Sequence, residues 1–85
     1  MKKAKEKYQA VVLTAGFIYV GWVRRTKDRV YMRDAKNLRY WSGEGLGPCL
    51  TNGPPENSKI DKCGDIVIEK SALHHTIDAV AKHWV

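Results

Sequence analysis

The chain has few of the residues that would announce a chemistry. It carries two cysteines, Cys49 and Cys63, in 85 residues. Two thiols are too few for the disulfide framework of a small secreted domain. Neither belongs to a C-x-x-C pair of the kind that zinc sites ordinarily show. The adjacent histidines, His74 and His75, are expected to face different directions on either a strand or a helix. No metal site and no cofactor are therefore expected. No apolar run approaches the roughly 20 residues of a membrane span, and no membrane partner is expected. The opening MKKAKEKYQAVVLTAG has only a short, interrupted apolar stretch, unlike a secretory leader. A cytoplasmic protein with free thiols is expected.

Catalytic patterns are equally sparse. The glycine-rich string SGEGLGP matches neither the dinucleotide fingerprint nor the Walker pattern. Its glycines are expected to serve tight turns and close backbone approach. Asp61, Asp65 and Glu69 read as charges on the outer edge of a strand rather than as paired acid and base. A cysteine-dependent enzyme is a remote alternative, with Cys63 in DKCGD as nucleophile and His83 or His75 as base. Such chemistry needs a lowered thiol pKa and a nearby base, which the spacing does not supply. No enzyme is expected.

What the chain does have is positive charge, unevenly placed. The formal net charge is +6. Residues 1–42 hold eleven Lys/Arg against three Asp/Glu, and residues 43–85 hold four against six. This asymmetry predicts a basic face built by the first half. A chain of this length makes one domain with a small core.

Residues 1–7 are charged and are expected to form a flexible basic arm, with residues 8–85 forming a single β-rich domain. YQAVVLT (8–14) and FIYVGWVRR (17–25) are β-branched and aromatic, and read as strands. Gly21 in the second suggests a bulge or sharp bend. TKD (26–28) is a tight loop. In RVYMRD (29–34), Val30 and Met32 point one way, and Arg29, Tyr31 and Arg33 the other. AKNLRYW (35–41) is expected to be a further short strand or an irregular crossing, with Leu38 and Tyr40 on one side and Arg39 and Trp41 on the other. Residues 42–58 hold four of the seven glycines and all three prolines. They read as a long loop packed down by Leu46, Cys49 and Leu50. KIDKCGDIVIEK (59–70) returns to strand. In 71–84, Leu73, Ile77, Val80 and Trp84 recur at helical spacing, while HHTIDAV also fits an edge strand.

Short strands with glycine-rich turns predict a mainly β fold, a small SH3-like or bent-sheet barrel of about five strands. The candidate binding residues are Arg24, Arg25, Lys27, Arg29, Tyr31, Arg33, Arg39 and Trp41. Aromatic faces stack bases, and guanidinium groups pair with phosphates or carboxylates. The same residue types are enriched at protein interfaces, so DNA or RNA and a protein partner are both open. Trp22 is expected in the core, and Tyr31 partly exposed.

Four blocks occur in order: AGFIYVGWV, DAKNLRYW, GLGPCLTNGP and IDKCGDIVI, followed by Trp84. In these the chain resembles a family of small phage and prophage proteins grouped as a domain of unknown function. That family shows an Ala-x-Asn-Ile-Arg-x-Trp-Gly block; here Ser42 separates Trp41 from glycine. The resemblance implies a compact β-rich fold and a β-strand in the final segment, near 73–80, with a short helix as the alternative. It also implies an accessory role without a known reaction. The expected function is a non-catalytic phage-type protein that binds a host protein or ribonucleoprotein complex in the bacterial cytosol. Inhibition of a nucleic-acid-guided defence system is one form of that role; direct nucleic-acid binding by a small β-barrel is the alternative.

Overall fold

A computed structural model describes residues 6–40, 45–54 and 58–84. Among these residues five strands run β1 (Lys7–Leu13), β2 (Ile18–Arg25), β3 (Arg29–Tyr40), β4 (Lys59–Glu69) and β5 (Leu73–Asp78), with one α-helix, α1 (Leu46–Asn52). They form a single antiparallel sheet in the order β4-β3-β2-β1-β5. The mainly β, five-stranded expectation is met. The sheet is bent rather than closed: β4 and β5 are its two edges, and each has one partner strand.

The bend follows from chain length. Only residues 70–72, a single 3₁₀ turn, join the two edge strands. In a flat sheet four inter-strand gaps would separate those edges by about 19 Å. From Glu69 to Leu73 the chain can span about 14 Å at most, and less as 3₁₀. The two ends also lie at opposite ends of the ladders, since Glu69 pairs with Arg29 and Leu73 with Leu13. The sheet must coil to bring them together. The link then binds the loops on both sides: Thr14 N–H donates to the Ala72 carbonyl at 2.8 Å and Lys70 N–H to the Asp28 carbonyl at 3.2 Å.

A bulge shared by three strands marks the bend. Between the pairs Val20–Lys36 and Trp22–Arg33, β3 carries one residue more than β2. The extra residue is accommodated at Asp34, whose φ is +56°, a region that aspartate tolerates better than most residues. Asp34 N–H donates to the Asp65 carboxylate of β4 at 3.0 Å. The expected irregularity at Gly21 is real, but the added residue sits in the neighbouring strand. Gly21 supplies room for it: a Cβ there would lie 3.0 Å from Ala35 Cα and 3.1 Å from the Arg33 carbonyl oxygen.

Both faces of the sheet are packed. Val11, Val23, Val30, Met32, Ala35 and Ile68 form the inner core, closed by Ala72 of the link and Leu73 of β5. Tyr8, Ala10, Ile18, Val20 and Leu38 form an outer core with Cys49 and Leu50 of α1 and with Trp84. Trp84 is pinned by its indole N–H, which donates to the Leu50 carbonyl at 3.2 Å.

Four expectations need correction. The loop 42–58 contains α1; of its expected anchors Cys49 and Leu50 are buried and Leu46 packs partly buried against them. Pro48 falls in the first helical turn, where its missing N–H has no intrahelical partner to lose. Residues 35–40 continue β3 without a break. The helical spacing in 71–84 does not produce an α-helix: 73–78 is strand and 81–83 a 3₁₀ turn. The arm does not extend to residue 7, because Lys7 opens β1 and Glu6 is paired. Among the described residues no helix is long and apolar enough to cross a membrane.

Candidate interaction face

The outer face divides into two halves. One lies under α1 and Trp84. The other, across the far ends of β2, β3 and β4, is uncovered. Arg24, Arg29, Tyr31 and Arg33 project there, as strand alternation and cross-strand pairing require: Trp22 pairs with Arg33, Arg24 with Tyr31, Tyr31 with Val67 and Arg29 with Glu69. The exposure of Arg29 and Arg33 against buried Val30 and Met32 is as the alternation predicts.

Aromatic and cationic groups alternate on this half. The Arg24 guanidinium lies 4.5 Å from the centroid of Tyr31, and that of Arg33 lies 5.6 Å from Trp22, both within cation–π range. Trp22 is half-buried rather than wholly in the core; it packs edge-on against Tyr8, centroid to centroid 5.0 Å. Val67 is 58% exposed, one of two large hydrophobic side chains so exposed among the described residues. Glu6, Arg24, Tyr31, Arg33, Asp65 and Val67 line an open groove of about 260 Å³.

Acidic residues temper the charge. Glu6 accepts three hydrogen bonds from Arg33: its Oε1 at 2.9 Å from Nη2 and 3.3 Å from Nε, and its Oε2 at 3.2 Å from Nε. The Arg33 bond holds the Glu6 carboxyl below its ordinary pKa and pushes Arg33 up in turn. Glu69 lies 3.7 Å from Arg29. The cations Arg24, Arg29 and Arg33 thus face the anions Glu6, Asp65 and Glu69, and their formal charges cancel. The basic face expected from composition is, on this surface, a mixed one.

The remaining candidates are elsewhere. The bulge at Asp34 reverses the alternation of β3, so buried Leu38 joins the outer core and Arg39 turns to the opposite face. Arg39 is there in an ion pair with Asp61, beside a second groove that includes exposed Phe17. Arg25 also leaves the set; its Nη2 donates to the Thr76 hydroxyl at 2.7 Å. Lys27 is in the β2–β3 loop, whose carbonyls at 26 and 27 accept from Lys70 Nζ. Trp41 lies outside the described residues, as does the side chain of Tyr40. Glu6 and Val67 were not foreseen. Glu6 sits next to a charged terminal run, and Val67 is one apolar residue within IVI, whose exposed member depends on the fold.

The cysteines and histidines also take definite places. Cys49 is buried, and burial pushes its thiol pKa up. Cys63 is exposed, with its thiol 3.5 Å from the Asp61 carbonyl. His74 and His75 do not diverge: the β1–β5 register shifts between Val12 and Leu13, and their Nδ1 atoms lie 2.6 Å apart. Comparison of the chain with family models, with curated proteins and with solved structures finds no match in any of the three. The phage-type resemblance rests on the sequence blocks quoted above.

Proposed function

We propose that this is a non-catalytic binding protein that engages a protein surface through the uncovered half of its outer face. The observation that carries this reading is the composition of that face. Exposed Val67, half-buried Tyr31 and Trp22, and three arginines balanced by three acids make the aromatic, arginine-rich, charge-compensated surface typical of protein contacts. A polyanion would favour unpaired cations, and here two of the three arginines are already paired. With the phage-type resemblance, the partner class is a host protein or the protein part of a ribonucleoprotein, and the role is to occupy it. Blocking a nucleic-acid-guided defence complex is one instance of that role.

Affinity capture from a host lysate tests the proposal with three baits: the wild type, Val67→Asp and Arg24→Glu. Both positions are at least partly exposed, so both variants are expected to fold, which circular dichroism of each bait checks. The expected result is one host protein or complex recovered by the wild type and reduced at least tenfold by each substitution. Recovery of the same protein by all three baits, or of none, would overturn the reading. Binding to bare DNA or RNA that weakens steeply with salt would replace it with the nucleic-acid alternative.

A further inference from the structure

We propose that His74 and His75 form a bidentate imidazole site for divalent copper or nickel, bound in tetragonal geometry through the two Nδ1 atoms. Successive residues of a regular strand point to opposite faces, and such a pair could not chelate. The register shift in β5 removes that obstacle. Val12 pairs with His75 and the next residue, Leu13, pairs with Leu73, leaving His74 as an extra residue. A residue freed in this way re-aims its side chain. The two rings stand 4.8 Å apart between centroids, inclined by 74°, and both residues are exposed.

The separation of the nitrogens discriminates between metals. At 2.6 Å the Nδ1 atoms share one proton: one imidazole donates and the other offers its lone pair. Replacing that proton with a metal requires both lone pairs to converge on one point. Rotation about the broad χ2 torsion of histidine achieves this at little cost. With metal–nitrogen bonds of about 2.0 Å, two cis ligands of a tetragonal ion lie about 2.8 Å apart, close to the separation present. Two ligands of a tetrahedral ion lie about 3.3 Å apart, which requires the rings to open by more than half an ångström. The site thus favours copper(II) and nickel(II) over zinc. Among the described residues no cluster of three or more His, Cys, Asp and Glu is arranged to hold a metal; the proposed site is the two imidazoles, with water in the remaining positions.

Titration of the full chain with Cu²⁺, Ni²⁺ and Zn²⁺ separately, by calorimetry, tests the inference. Paramagnetic resonance of the copper form reads the geometry. One Cu²⁺ per chain is expected, with a tetragonal signal split by nitrogen coupling. His74→Ala and His75→Ala should each weaken copper binding at least tenfold, and His83→Ala should leave it unchanged. In the unsubstituted chain, substoichiometric copper should broaden the ring-proton resonances of His74 and His75 before those of His83; this readout needs no variant. Copper affinity retained in both single variants would overturn the proposal, as would broadening led by His83. Zinc binding as tight as nickel binding would overturn the tetragonal geometry.

Discussion

Tyr8 shows how one buried polar atom can set a pH limit. Its side chain is held between Trp22 and the outer core. Among the described residues its hydroxyl is buried without a hydrogen-bond partner. Burial, with a further contribution from the charge of Asp34, pushes its pKa up to about 12. The folded state therefore holds the phenolic proton more tightly than the unfolded chain, where tyrosine titrates near 10. The stability this confers is complete below about pH 10 and is lost as pH rises towards about 12. Tyr8→Phe should remove that alkaline loss. It should also raise stability by about 1 kcal/mol, because an unsatisfied buried hydroxyl is deleted; urea denaturation at pH 8 and pH 11 measures both. Glu6 has the opposite sign. Its lowered carboxyl pKa means that the Arg33 pairing is in force above the ordinary value and fades as pH falls through the depressed one. A carbon-detected NMR titration of Glu6 should show the depressed pKa in the wild type and its return towards 4.5 in Arg33→Gln. At this scale the sequence revealed residue types but not pairings. Arg33 and Glu6 are 27 positions apart, and Arg39 changes face because of a bulge that no composition signals.

Among the elements, the strands were legible because alternation and β-branching mark them directly. Buried Val30 and Met32 beside exposed Arg29 and Arg33 are the plainest case. Helix α1 was not legible. LGPCLTN holds glycine, proline, threonine and asparagine, which are poor helix formers; its helicity comes from seating Cys49 and Leu50 on the outer core. Leu50, fully buried, should therefore be the residue that fixes the helix. Leu50→Ala should cost about 2–5 kcal/mol and raise amide exchange in α1 and at Val80, whose N–H donates to the Leu50 carbonyl. The shared bulge makes a parallel prediction. Gly21→Val would drive a branched side chain into the backbone of Asp34 and Ala35. A loss of about 1–3 kcal/mol is expected, measured by thermal unfolding.

For the molecule as a whole, composition indicated the size, the β class and the excess of positive charge. It did not show where the charge would be neutralised, because that depends on which strands the bend brings side by side. One consequence concerns the order of events in folding. β2, β3 and β4 are joined to neighbours in sequence, whereas β1 also pairs with β5, which begins 60 positions after β1 ends: Gln9 bonds Asp78 across a separation of 69. Contacts so distant close slowly. During synthesis Val11, Val12 and Leu13 wait without their second ladder until β5 has emerged, and a nascent chain in that state displays an apolar strand edge to its neighbours. The three-residue turn at 70–72, which ties the two edges of the sheet together, is thus also the link that delivers β5 to the waiting edge of β1.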